Sequence, residues 1–363
     1  MNIAILTGGG DCPGLNAVIR AFTKYALRRG HRVFGYKDGF KGLIENDFME
    51  LTDKEVSGII IRGGTILGTS NIANPFSYRI PPYGSPQNPV DMTSTLIENL
   101  KKNKIECLVT IGGDGTQNMA YKLYEMGLPV IGIPKTIDND LDATDYTFGY
   151  DTALYVATEA VDRVHTTAES HERVLIVETM GRYAGWIAIR SAIAGGGDIA
   201  LIPEIEYNSK DIIDYIKERR KKGKTFSIIV VAEGAKEKGG ELTAYKKIES
   251  STDPLRLGGV SYKIADLIEK NTCMEARVVI LGHLQRGGVP THFDRWLSTG
   301  FGVKAMELLE NKKMGHMCAI KGQDFISVPL KDAINKLKRV DKNSFEVRMA
   351  INIGMSFGIK EII

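Results

Sequence analysis

The chain alternates short apolar runs with stretches of helical periodicity. "IAILT" (3–7), "RVFGY" (32–36), "CLVTI" (107–111) and "PVIGI" (129–133) are branched, apolar and too short for helices, so they predict buried strands. "VLIVE" (174–178), "IALIP" (199–203), "SIIVVA" (227–232) and "ARVVILG" (276–282) continue the pattern in the second half. "LNAVIRAFTKYALRRG" (15–30) places Leu15, Val18, Ile19, Phe22 and Ala26 on one helical face and stops at Gly30. Further helices are predicted over 151–168, 185–194, 208–222 and 258–270.

Strands that are apolar on both faces and separated by helices predict parallel sheets covered on both sides. The expected class is therefore α/β. A length of 363 residues suits about two such units, with a rough boundary near 149. The segment 70–92, rich in proline and asparagine, predicts a surface loop.

Composition refines this picture only slightly. The chain is 43% apolar and 25% charged, as a globular protein is, and its net charge of +3 makes no case for nucleic acid. The densest basic run, "KERRKKGK" (217–224), reads as a solvated helix end, where cations suit the helix dipole. Cys12, Cys107, Cys273 and Cys318 have no metal-binding spacing and read as reduced thiols of a cytoplasmic protein. No apolar stretch approaches the ~20 residues that span a bilayer. The first strand begins so early that no targeting peptide is expected.

Ligands of open α/β sheets bind beyond the carboxyl ends of the strands. The glycine-rich or charged clusters at 8–14, 63–65, 112–116, 134–140, 180–182, 233–234 and 283–288 are all expected at such ends, gathered in one crevice. "TGGGDCPG" (7–14) reads equally as a phosphate-binding turn or a plain strand-to-helix turn. "IGGDGT" (111–116) is more specific. Its glycines keep the backbone bare, Thr116 offers a donor, and the Asp114 carboxylate beside a phosphate site calls for a cation such as Mg²⁺. In "PKTIDND" (134–140), Asp138, Asn139 and Asp140 crowd behind Lys135. Such crowding is repulsive unless a cation or substrate offsets it, and an alcohol attacking a phosphoryl group needs a proton acceptor, a role Asp138 suits. Arg173, Arg182, Arg277 and Arg286 are expected at the same crevice edge as phosphate-gripping cations. His283 adds a donor and Glu233 an acceptor for a sugar hydroxyl.

With these residues in view, the chain resembles the bacterial type of 6-phosphofructokinase from residue 1 to about 312. The resemblance rests on "GGGDCPGLNAVIR", "GGTILGTS", "IGGDGT", "PKTIDND", "ESHERV", "ETMGRYAG", "VAEG" and "LGHLQRGG", in that order. It implies two Rossmann-like three-layer domains with mainly parallel sheets and an active site in the cleft between them. Residues 1–149 with about 285–335 would hold the phosphoryl donor, and 150–284 with about 336–363 the fructose 6-phosphate. Asp138 is implied as proton acceptor for the C1 hydroxyl, with Thr136 and Asp140 on the same loop. Asp114 would hold Mg²⁺, and Gly10, Gly112, Gly113, Gly115 and Thr116 would cradle the donor. Arg182, with Met180 and Gly181, would stabilise the transferring group, while Glu233, His283 and Arg286 bind the sugar phosphate. Arg173 and Arg277 are implied to reach in from a neighbouring subunit, which makes the protein a homodimer or homotetramer. No membrane or nucleic-acid partner is implied. The final 50 or so residues carry no motif.

Two positions bear on the donor. In this family, pyrophosphate users resemble GGDD with PKTIDND, and ATP users resemble GGDG with PGTIDND; this chain combines Gly115 with Lys135. A carboxylate at 115 would repel the ATP α-phosphate, whereas a lysine is flexible enough to swing aside. The family's mixed Gly/Lys group is associated with ATP, so ATP is the expected donor. Pyrophosphate is the alternative, and an NAD-kinase-like enzyme and a non-catalytic sugar-phosphate sensor are less favoured. Asn71 and Ile72 stand where ATP-using relatives carry an arginine. Arg20 suits an effector site on the first helix, but Lys24 replaces its second arginine, so no allosteric site is assigned.

Overall fold

The computed structural model describes residues 1–79, 88–247, 255–334 and 336–360. In chain order the strands are β1 (Asn2–Thr7), β2 (Arg32–Tyr36), β3 (Phe48–Leu51), β4 (Ile105–Gly112), β5 (Val130–Pro134), β6 (Val174–Thr179) and β7 (Ile199–Leu201). They continue with β8 (Ser227–Ala232), β9 (Ala244–Lys247), β10 (Leu255–Leu257), β11 (Ala276–Ile280), β12 (His316–Lys321) and β13 (Asp324–Pro329). The helices are α1 (Leu15–Arg28), α2 (Phe40–Glu45), α3 (Thr93–Lys102), α4 (Asp114–Glu125), α5 (Tyr150–His171) and α6 (Trp186–Ala194). The remaining helices are α7 (Ser209–Lys221), α8 (Val260–Asn271), α9 (His292–Glu310), α10 (Leu330–Ala333) and α11 (Phe345–Asn352).

Seven strands form one sheet in the order β13-β12-β5-β4-β1-β2-β3, and four form a second in the order β11-β6-β8-β7. Within these two sheets all strand pairings are parallel except those of the edge strands β3 and β13. The hairpin β9–β10 stands apart from both sheets. The apolar runs behave as their composition requires: Ile3 to Leu6 of β1 and all of β6 and β8 are buried, with helices on both faces. The run at 199–203 pairs only through Leu201, as Pro203 has no N–H for a ladder.

After α8 and β11 the chain returns to the first sheet. There α9 lies so close to α1 that a Cβ on Gly302 would come 2.8 Å from that of Ala21. The last segment goes back to the second sheet, where the Ala200 N–H donates to the Ser356 carbonyl at 2.9 Å. Helix α5 follows the loop after β5 and packs on β6 and α6 of the second sheet. Its N-cap residue is Gly149, which has no side chain to cap it. Asp294 of α9 caps it from afar, accepting from the N–H groups of Gly149 (2.9 Å) and Thr152 (2.8 Å) and from the Thr152 hydroxyl (2.5 Å).

Of the segment 70–92, residues 80–87 lie outside the described residues, but its base is pinned by Tyr78 and Val90, whose backbones exchange two 2.8 Å hydrogen bonds. Cluster 63–65 does not follow a strand, as expected from the sequence; it follows a short 3₁₀ turn (Ile59–Ile61). It packs on the end of β1, with the Thr65 and Thr7 hydroxyls 3.2 Å apart, and Asn16 donates to the carbonyls of Arg62 and Gly63.

Candidate active site

The carboxyl ends of β1, β4 and β5 on one side, and of β6, β8 and β11 on the other, line one cleft of about 770 Å³. That is within the size range of small-molecule sites. Each sheet contributes short loops because its parallel strands all end on the same side.

On the first side, the turn after β1 brings Gly10 to the cleft. A Cβ there would lie 2.8 Å from the Arg286 guanidinium, which arrives from the far side, so a larger residue would displace that arginine. Gly113, Asp114, Gly115 and Thr116 also line the cleft at the start of α4. A helix N-terminus favours anions. Thr116 is buried, its side chain set against Gly8 and Gly112. The Asp114 carboxylate opens to the cleft, yet the surrounding walls desolvate it and raise its pKa, with Arg182 pulling the other way. Around Gly115 nothing lies within 4 Å of where a Cβ would be.

Loop 134–140 after β5 carries the densest charge. Lys135 is only 5% exposed, and its Nζ donates to the Gly10 carbonyl at 2.5 Å. Burial lowers its pKa. Asn139 faces inward in the left-handed region (φ 52°), where asparagine is among the better tolerated residues. Its Oδ1 accepts from the Thr147 N–H at 3.1 Å. This backbone lets Asp138 and Asp140 both line the cleft. Asp138 is 5% exposed, its N–H donates to the Thr136 hydroxyl at 3.1 Å, and its Oδ1 has no hydrogen-bond partner. Burial raises the Asp138 pKa, against Arg182, Arg286 and Lys135, which pull it down. Asp140 is pushed up to about 7, by burial first and then by Asp138.

From the second sheet come Met180 and Arg182 after β6, Glu233 after β8, and His283 and Arg286 in the 3₁₀ turn after β11. Gly181 does not line the cleft but makes the turn between Met180 and Arg182 (φ 136°), where a Cβ would strike the Ala184 carbonyl. The Arg182 N–H donates to Glu233 at 3.1 Å. Burial, reinforced by Asp138, pushes Glu233 up to about 8.

Three expectations need correcting. Gly112 is buried in the β4–α4 turn and does not line the cleft; a Cβ there would collide with Thr116. Arg173 and Arg277 do not share the crevice edge with Arg182 and Arg286. They lie at the amino ends of β6 and β11 and pair with Glu275 at 2.7 and 3.0 Å, and Arg277 also with Glu269 at 3.3 Å. Sequence reading also missed contributors. Gln285, wholly buried, accepts from the Met180 N–H at 2.7 Å and so fixes the turn beside Arg182. Glu178 and Tyr245 also line the cleft. Only the position of Gln285 between His283 and Arg286 signals it in the sequence.

An alcohol could satisfy the unpartnered Asp138 oxygen, and the arginines opposite would neutralise a phosphoryl group beside it. Among the described residues no three His, Cys, Asp or Glu side chains gather as metal ligands. Asp114 is a single carboxylate at the α4 N-terminus, the kind of donor that suits a Mg²⁺ shared with phosphates and water.

The family described as phosphofructokinase matches residues 2–309. A Clostridium perfringens protein named ATP-dependent 6-phosphofructokinase 2 is 52% identical over 359 residues, covering 98% of each chain. A Streptomyces coelicolor protein named pyrophosphate–fructose 6-phosphate 1-phosphotransferase is 45% identical over 360 residues, covering 99% of this chain and 100% of that one. Among solved structures, phosphofructokinase from Saccharomyces cerevisiae superposes with a TM-score of 0.76 at 28% identity, over 97% of this chain and 47% of that longer one. With the family matching most of its length and a bacterial member more than half identical to it, the chain belongs to the phosphofructokinase family.

Proposed function

We infer that the protein is an ATP-dependent 6-phosphofructokinase, which moves the γ-phosphoryl of ATP to the C1 hydroxyl of fructose 6-phosphate and yields fructose 1,6-bisphosphate. The observation that carries this reading is the buried, unpartnered Oδ1 of Asp138, set among Arg182, Arg286 and Lys135. An ionised carboxylate so placed accepts the hydroxyl proton as the oxygen attacks phosphorus.

Residues 1–149 with about 285–335 hold the donor in this reading, and 150–284 with about 336–363 the sugar phosphate. Gly10, Gly113, Gly115 and Thr116 give the donor phosphates a bare wall at the α4 N-terminus. Mg²⁺, held by Asp114, would neutralise charge on the donor phosphates. Arg182 faces the transferring group, with Thr136 on the loop of Asp138. Glu233, Met180, His283 and Arg286 hold the sugar phosphate. Burial pushes Glu233 up to about 8, which favours its neutral form and lets it donate to a sugar oxygen as well as accept. Catalysis is then positioning plus fixed charge, as this reaction type requires. Arg173 and Arg277 serve a neighbouring copy in a homodimer or homotetramer of the cytoplasm. Their distance from their own cleft supports this.

Gly115 supports ATP over pyrophosphate. The space beside it is open, and no carboxylate stands there to repel an α-phosphate. Lys135 and the pyrophosphate-named Streptomyces relative favour the alternative. Asp138→Asn tests the reaction: kcat is expected to fall ~10²–10⁴-fold while fructose 6-phosphate still binds. Turnover within a factor of two of the parent sinks the assignment.

A further inference from the structure

The C-terminal segment, which carries no sequence motif, meets the loop after β5 at Leu337, which forms a β-bridge with Leu141, and at Lys338, whose side chain makes most of the polar contacts. The Nζ of Lys338 donates to Asn139 Oδ1 at 3.1 Å, to the Thr144 carbonyl at 2.9 Å and to the Asp145 carbonyl at 2.8 Å. Its backbone N–H donates to the Asp140 carbonyl at 2.7 Å. Its carbonyl accepts from Trp186 Nε1 at 2.9 Å, and the ammonium lies 5.9 Å from the centre of that ring. One residue therefore grips the loop at Asn139 and, beyond it, at Asp140, Thr144 and Asp145, and anchors it to α6 beside the second sheet.

Asn139 makes this grip consequential. It is 1% exposed, adopts φ 52°, and sits between the two carboxylates that line the cleft. Its Oδ1 receives Lys338 and the Thr147 N–H, and the Thr147 hydroxyl donates to the Thr136 carbonyl at 2.7 Å. A left-handed non-glycine residue persists only where its surroundings hold it. The ammonium is costly to bury. Desolvation and the nearby Arg190 push its pKa down to about 8, against Asp145, Asp140 and Asp142. A cation held at that cost, with all three of its donors satisfied by one loop, fixes that loop strongly.

We propose that Lys338 is a positioning residue: its ammonium holds the 139–145 turn so that Asp138 and Asp140 are presented together to the cleft. It lines no part of the cleft and touches no substrate site. The consequence for turnover rests on the function proposed above; the consequence for loop order does not.

The test pairs hydrogen exchange with kinetics in the full-length protein. Lys338→Met keeps the length of the side chain and removes its donors, and Lys338→Arg keeps a cation. For the Met variant, backbone amides at 139–147 are expected to exchange about tenfold faster, with helices elsewhere unchanged. With ATP and fructose 6-phosphate its kcat is expected to fall about tenfold while both KM values stay within about twofold. Lys338→Arg is expected to lie between parent and Met variant on both readouts. Unchanged exchange in the Met variant overturns the proposal, as does unchanged kcat. If Lys338→Met does not fold, Lys338→Arg decides: faster exchange confined to 139–147 supports the clamp, and exchange raised throughout the protein overturns it. A parent protein inactive on fructose 6-phosphate would refute the functional assignment, while exchange would still decide the clamp.

Discussion

The Nζ of Lys135 lies 2.5 Å from the carbonyl oxygen of Gly10, so the lysine braces the turn after β1 from within. It does not swing aside into solvent, as its flexibility alone would allow. Lys135 lines the cleft with its ammonium tied to the Gly10 carbonyl, while the space beside Gly115 stays open. Donor choice is accordingly expected to respond unequally to the two positions.

Gly115→Asp is predicted to lower kcat/KM for ATP by about 100-fold, or ~2.7 kcal/mol, with a smaller loss for pyrophosphate. Lys135→Gly is predicted to change the ratio of the two kcat/KM values by less than about fivefold. Steady-state kinetics with both donors checks this. A larger swing from Lys135→Gly than from Gly115→Asp would reverse the assignment.

A second prediction concerns pH. Asp140, pushed up to about 7, and Glu233, pushed up to about 8, bind protons more tightly folded than unfolded, and Asp138 shifts in the same direction. Their contribution to stability is complete below the unfolded carboxylate range near ~4 and is lost as pH rises through 7 to 8. The ligand-free protein is therefore expected to lose stability between about pH 6 and pH 8, and Asp140→Asn to lose less. Urea midpoints at the two pH values report it. A parent that gains stability over this range contradicts the burial argument.

The third prediction uses the arginines that miss their own cleft. If Arg173 and Arg277 complete a neighbour's site, Arg277→Ala should raise the KM for fructose 6-phosphate at least tenfold. At fructose 6-phosphate concentrations well below the raised KM, co-assembled Arg277→Ala and Asp138→Ala chains should then show activity that neither parent has, because some sites receive an intact set. Absence of recovery in verified mixed oligomers contradicts the shared site.

Strands β1, β4, β6 and β8 were legible because burial on both faces leaves continuous apolar runs. The loops behind them were legible because charge and glycine cluster where such strands end. Helix α4 was not, since it buries Thr116 and Gln117 along with its apolar residues and so lacks a clean stripe. The side of the cleft reached by Arg173 and Arg277 was misread for a simple reason. Arg173 precedes the apolar run at 174–178 and Arg277 stands at the start of the one at 276–282, so chain order already puts both at amino ends, opposite the crevice, and nearness to a strand is not nearness to its carboxyl end. The cap from Asp294 to Gly149 and the clamp from Lys338 to Asn139 join residues far apart in the chain, where no local pattern marks the partner.

The most direct measurement fixes fructose 6-phosphate and Mg²⁺ and compares ATP with pyrophosphate by kcat/KM on the purified protein, with fructose 1,6-bisphosphate identified as product. The account predicts that ATP is preferred by about tenfold or more. Preference for pyrophosphate would mean that Lys135 and the missing arginine at Asn71 govern the donor, and the central claim would be wrong.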